Sequence, residues 1–293
     1  MNLMSPETKN TTATAMDNPM LPLLVVLLAY PTVLVLSTSP ALIAVPVAIC
    51  AYWMLLRKKL FFFAGLLTAL CVFRIEWLPF LLIPGLIVGG VRFAGGAALA
   101  AVGTFFAMQA MHIPFDFAAL AAVNGAVPTH TLQNFAAMLA LILGENYPNL
   151  QIGIFAVYLV SIVTSTELWW RVHHLPDNQN KFLKKCSATM LITLAASAFT
   201  AVQDYIALVP VFVWLWQATA DDDTRETGRL VRKVLIAYPI VTWLYVAVQT
   251  AFPSLSIPVY FVWAVVLSVC TLPTLDVEQN NILNKRFKAM SSQ

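Results

Sequence analysis

What most constrains this chain is its succession of long apolar runs separated by short polar turns. A helix needs about 20 mostly apolar residues to cross the hydrocarbon core of a bilayer. Inside that core the backbone must satisfy its own hydrogen bonds, so apolar runs of this length are helices. The runs at 20–38, 40–57, 60–73, 77–91, 94–112, 150–169, 186–203, 205–219, 234–252 and 256–273 read as ten spans. A further run at 132–144 is too short to cross and reads as a re-entrant or interfacial helix. The expected fold is therefore all-α, a polytopic transmembrane bundle. Pro31, Pro210 and Pro239 fall inside spans, where neighbouring helices can re-satisfy the backbone groups they free. Composition agrees: 11% of residues are charged, against about 25% in soluble domains.

The basic residues set the orientation, because cytoplasmic loops carry the excess of Lys and Arg. With the N-terminus inside, Lys9, Arg57, Lys58, Lys59, Arg92, Arg171, Lys181, Lys184 and Lys185 all fall on the cytoplasmic side. So do Arg225, Arg229, Arg232, Lys233, Lys285, Arg286 and Lys288. Of the 17 Lys and Arg, Arg74 alone falls outside. Both termini are thus expected in the cytoplasm. Residues 1–18 form a polar N-terminal tail, 19–275 the transmembrane domain with an outer segment at about 112–149, and 276–293 a C-terminal tail.

The tail before the first span is long and nearly neutral, unlike the basic start of a signal peptide. The sequon Asn10-Thr-Thr lies on the wrong side for glycosylation. Cys50, Cys71, Cys186 and Cys270 lie in or beside apolar runs without CxxC spacing, and read as small buried hydrophobes. The net charge of +3 comes from loop residues, and no basic, aromatic-interleaved patch points to nucleic acid. No cofactor and no metal set is indicated. His173-His174 have no third ligand nearby, and Asp221-Asp222-Asp223 has no second acidic cluster facing it.

The order of features from about 25 to 275 resembles the GT-C superfamily of membrane glycosyltransferases, in particular bacterial enzymes that use polyprenyl-phosphate-mannose. Tyr30-Pro31 stands in the first span, and Arg57-Lys58-Lys59 closes the second. Ala64-Gly-Leu-Leu-Thr-Ala-Leu-Cys-Val-Phe-Arg74 leads to Pro79 and Pro84, with Arg92 at the next turn. Thr131-Leu-Gln-Asn-Phe135 occupies the place of an Asn-Gln motif in reversed order, and Val202-Gln-Asp-Tyr-Ile-Ala-Leu-Val-Pro210 that of a late outer turn. The resemblance implies a lipid-linked sugar donor bound at the outer face. One departure is plain. The family's catalytic carboxylate sits in the first outer loop, whereas here that loop is Ser37-Thr-Ser-Pro40, so the chain matches the later part of such an enzyme.

Arg74 is the residue best suited to a lipid phosphate, since a guanidinium offers phosphate a planar fork of donors. It is equally suited to snorkelling beside Trp77 at the interface. Glu76 is a candidate base for an acceptor hydroxyl, or a partner for Arg74. Asp116, with aromatic neighbours and His112 nearby, is a second candidate acid, or a loop cap. Gln133 and Asn134 are candidate sugar contacts that also suit a helix entry, and Asp204 is a candidate substrate contact or an N-cap. Two functions follow. One is a GT-C-like protein that binds a polyprenyl-phosphate sugar and passes the sugar to an outer acceptor. The other is a non-catalytic subunit of a membrane complex, favoured by the missing first-loop acid. A transporter would carry charges within its spans, and these are essentially absent. The expected location is a bacterial inner membrane, with membrane lipid and other membrane subunits as partners.

Overall fold

The computed structural model describes residues 20–111, 132–144, 147–172, 179–197, 199–219, 225–252 and 257–272. These residues form helices and turns, with no strand among them. In chain order the helices are α1 (Leu21–Leu27), α2 (Tyr30–Thr38), α3 (Ala44–Arg57), α4 (Phe61–Leu66) and α5 (Leu78–Ala110). There follow α6 (Phe135–Leu143), α7 (Leu150–Val172), α8 (Gln179–Ala196), α9 (Leu208–Ala218), α10 (Arg225–Ala251) and α11 (Val259–Leu272). Short 3₁₀ segments lie between them, at Pro40–Ile43, Leu67–Phe73, Ile75–Trp77 and Val202–Ala207.

Among the described residues, four helical stretches are long and apolar enough to cross a membrane: Pro40–Arg57, Ile75–Ala110, Leu150–Trp170 and Gly228–Ala251. Helices α1 and α2, bent by 62° at their junction, make a fifth if they act as one span. The exposed faces of these helices are apolar. Helix α7 presents Ile152, Phe155, Leu159, Val160 and Val163, and α5 presents Leu99, Val102, Phe105 and Phe106. Contiguous apolar surface of this kind marks lipid contact rather than water. The chain is a multi-pass membrane protein by this measure.

The ten runs read from the sequence do not all become single helices, and the breaks have local causes. The run at 60–73 divides into α4 and a 3₁₀ segment. At about 1.5 and 2.0 Å rise per residue these reach roughly 23 Å together. Helix α9 has 11 residues, about 16 Å, or half a bilayer. The α1–α2 break precedes Pro31, whose ring cannot continue a helix. The groups it frees find partners on α10: Trp243 Nε1 donates to the Leu28 carbonyl (2.9 Å) and the Tyr30 amide to Thr242 Oγ1 (3.2 Å). The Tyr30-Pro31 site thus packs on α10 close to Tyr238-Pro239, with Tyr30 edge-on to Trp243.

Helix α5 breaks at Gly90, where φ is 53° and ψ −137°, a conformation for glycine alone. The chain turns there so sharply that the Phe93 ring lies on Gly85, where any side chain would collide with it. The segment after the turn packs on α4 through two glycines. A methyl group on Gly65 would sit 2.7 Å from the Ala97 amide nitrogen, and one on Gly96 would strike the Phe62 carbonyl. In lipid, where helix association depends on close packing, small residues at a crossing let backbones approach in this way.

Helix α9 is the hub. Leu208, Val211, Phe212 and Leu215 are fully buried, as expected of a helix that is apolar all round. Around it, Phe212 stacks on Trp263 at 5.5 Å and Trp263 meets Tyr238 at 4.3 Å. At the other pole Trp53 stacks on Trp169 (5.5 Å), and Lys185 lies over the Trp169 ring at 5.0 Å.

Candidate functional site

Arg74 stands alone between two 3₁₀ segments, Leu67–Phe73 and Ile75–Trp77, with φ −147° and ψ 70°. The break points its side chain across the bundle to the turn before α9. There Arg74 Nη2 meets Asp204 Oδ1 at 2.5 Å, over a sequence separation of 130 residues. The other Asp204 oxygen accepts the Ala201 amide (2.8 Å), so Asp204 caps its own turn and holds Arg74 together. Burial pushes the Asp204 carboxyl above its ordinary range, while the Arg74 guanidinium and the Ala201 amide pull it back. Glu76 Oε1 lies 3.9 Å from Arg74 Nη1 and lacks a hydrogen bond. The Glu76 carbonyl accepts the Tyr158 hydroxyl (2.7 Å), which ties the turn to α7.

The outer cation of the sequence reading is thus a paired one. With Glu76 and Asp204 both ionised, the cluster holds two negative charges to one positive. Arg74 keeps a guanidinium face in reserve, because one strong bond to Asp204 uses one of its five N–H donors, and its side chain is 25% exposed.

Arg74 also lines a cavity of about 350 Å³. Residues of α3 (Ala48, Ile49, Tyr52), the 3₁₀ segment (Leu70, Cys71) and Trp77 line it, and among the described residues Arg74 is its one charged lining residue. The volume falls within the usual range for small-molecule pockets. Trp77, expected as an interfacial residue, is buried and forms part of the wall. Tyr52 donates to the Leu81 carbonyl and fixes α3 against α5. Nothing in the spacing of Ala48 and Tyr52 relates them to Arg74. Only the packing of α3 on the 3₁₀ segment does.

Gln133 and Asn134 lie elsewhere, before α6, and all their side-chain groups face protein. Gln133 Nε2 donates to the Tyr245 hydroxyl (3.0 Å), and its Oε1 accepts the Tyr260 amide (3.3 Å). Its amide donates to the Thr200 carbonyl (2.8 Å), and its carbonyl accepts the Tyr205 hydroxyl (2.6 Å). Asn134 Nδ2 donates to the Ser197 carbonyl (2.7 Å), and its Oδ1 accepts the Ala137 amide (3.0 Å) as an N-cap. Both residues are fully buried. They clamp α6 to the ends of α8, α10 and α11, the helix-entry role that the sequence left open. Asp116 lies outside the described residues. Among the described residues no group of three His, Cys, Asp or Glu is placed to hold a metal.

No family model, no curated protein and no solved structure matches this chain.

Proposed function

We propose that this chain is a membrane protein that binds a lipid phosphate through Arg74, with the lipid chain in the adjoining apolar cavity. The observation that carries the reading is the cavity itself: about 350 Å³, lined mostly by apolar residues, with Arg74 the one charged residue among the described residues that line it. An amphiphile with an anionic head and a hydrocarbon tail matches that profile. The specific ligand proposed is a polyprenyl-phosphate sugar of the kind GT-C enzymes use. Transfer would form a bond from an acceptor hydroxyl oxygen to the sugar carbon and break that carbon's bond to the phosphate oxygen. The electron pair leaves with the phosphate, held by Arg74, and the hydroxyl proton passes to Glu76, whose free oxygen lies on the same turn.

Ten spans with both termini in the cytoplasm remain part of this reading, with a bacterial inner membrane as the setting. Contacts across the bundle support it. Arg74, Asp204, Gln133, Thr200 and Tyr260, placed at the outer ends of runs, meet one another or each other's neighbours. Trp53, Trp169 and Lys185, at the inner ends, form a separate cluster.

The test is mass spectrometry of the lipids that co-purify with wild type, Arg74→Ala and Ala48→Phe, the last filling the cavity. A polyprenyl-phosphate species bound to wild type and lost from both variants is the expected result. Its absence from wild type, with membrane proteins co-purifying in fixed ratio, would replace this reading by the second one. That second reading is a non-catalytic subunit of a membrane complex, and the Arg74–Asp204 pair favours it, because a bond joining two distant turns is sufficient reason to bury both groups.

A further inference from the structure

The charge balance at Arg74 limits what its cavity can accept. Arg74 already bonds the Asp204 carboxylate at 2.5 Å, and Glu76 Oε1 lies 3.9 Å from its other terminal nitrogen. Both acids stand on anchored turns. Asp204 accepts the Ala201 amide (2.8 Å), and the Glu76 carbonyl accepts the Tyr158 hydroxyl of α7 (2.7 Å). Their side chains are only 8% and 9% exposed, so solvent and salt screen them poorly. Among the described residues, the other titratable or polar side chains near the pair are Ser197 after α8, Tyr158, Cys71 and Tyr205. All four are uncharged at neutral pH. With both acids ionised, the cluster carries one negative charge in excess before any ligand arrives.

An anion that bonds the same guanidinium lies close to both carboxylates, and like charges that near disfavour one another. A first negative charge is met by the N–H donors that Arg74 does not spend on Asp204. A second meets two carboxylates and no further charged residue among those described around the cavity. We infer that Glu76 and Asp204 set the specificity of this cavity: they admit a phosphodiester, with one charge, and reject a phosphomonoester, with nearly two at pH 7. This rests on the lipid-phosphate reading of the Arg74 cavity. The distinction separates donor from product. A polyprenyl-phosphate sugar is a phosphodiester. When its sugar carbon bonds the acceptor oxygen, the phosphate keeps the electron pair of the broken bond and becomes a monoester. Glu76 is neutral while it holds the acceptor's proton. Once that proton passes to water, the repulsion returns and the product is driven out. Arg74 without its two acids would do the reverse and hold the doubly charged product more tightly than the donor.

The test titrates two probes into the full chain in neutral-detergent micelles, by calorimetry: a long-chain alkyl methyl phosphate, which is a diester, and the monoester phosphate of the same alkyl chain. Binding is compared at pH 8, where the monoester carries nearly two charges, and at pH 5, where it carries about one. Wild type is expected to bind the diester roughly tenfold or more tightly than the monoester at pH 8, and the two nearly alike at pH 5. Glu76→Gln and Asp204→Asn should each shrink the preference at pH 8 by tightening the monoester more than the diester. Equal affinities at pH 8, a preference for the monoester there, or a preference that neither substitution changes overturns the specificity assignment. Diester binding that is lost in Ala48→Phe then leaves the cavity reading intact. Binding of neither probe to wild type, or diester binding unchanged in both Arg74→Ala and Ala48→Phe, overturns the lipid-phosphate reading, and the specificity assignment falls with it.

Discussion

Replacing Arg74 with Ala strands the Asp204 carboxylate, whose side chain is 8% exposed. Asp204 would keep only the Ala201 amide and lose its 2.5 Å contact to the guanidinium. Removing one partner of a buried pair costs about 3–5 kcal/mol, because the remaining charge stays desolvated. Arg74 itself is 25% exposed, so we expect the lower end of that range, about 3 kcal/mol. The partner substitution should behave differently. Asp204→Asn removes a desolvated charge and leaves a guanidinium that still reaches solvent and Glu76, so its cost should stay below about 1 kcal/mol. In Arg74→Ala, adding Asp204→Asn should restore most of the loss, a coupling of about 2 kcal/mol.

The same site has a pH signature. Burial holds the Asp204 carboxyl above its ordinary range, so the folded chain binds that proton more tightly than the unfolded chain. The resulting stabilisation is complete below the ordinary value of about 3.9 and is lost as pH rises through the raised value. Asp204→Asn should flatten that slope, and the deficit of Arg74→Ala should shrink on acidification. The assay is reversible unfolding in mixed detergent micelles, followed by tryptophan fluorescence at several pH values. Additive costs for the two substitutions, or a cost for Arg74→Ala under about 1 kcal/mol, would refute the reasoning and make the contact a solvated one.

Three further outcomes are expected from the same assay. Gly90→Ala should cost about 1–3 kcal/mol for its backbone conformation alone, since nothing lies within 4 Å of the added methyl. Gly95→Ala, equally open but helical, should be neutral or slightly stabilising, and equal effects at the two sites would remove the sharp turn from the account. Gly65→Ala should cost about 1–3 kcal/mol by overpacking, because the obstacles are backbone atoms of Phe93 and Ala97 that cannot swing away. Gln133→Leu should cost about 2–4 kcal/mol, as it leaves the Tyr245 hydroxyl and the Tyr260 amide unpaired. If it is harmless, Gln133 is not a clamp, and a ligand-contact role regains its place.

The sequence by itself determined the solvent of this protein and its helical nature, because apolar runs of bilayer length have no other way to satisfy their backbone. It also singled out Arg74, the one cation that the ten-span reading of the basic residues leaves off the cytoplasmic side. A proline inside a span was legible at both Pro31 and Pro239, yet the chain breaks before Pro31 and runs as one helix through Pro239. What the sequence did not contain is the partner list. Asp204 lies 130 residues from Arg74, and read locally it is an N-cap, which it also is. Gln133 and Asn134 present the same polar groups whether they face a sugar or Tyr245 and Ser197. The cavity beside Arg74 comes from apolar residues such as Ala48 and Leu70 that carry no chemical signal of their own. Hydropathy fixes which residues leave water. Which of them meet depends on glycine crossings, proline breaks and paired charges that close only in three dimensions, and so the tertiary structure decided that Arg74 both pairs with Asp204 and lines an apolar chamber.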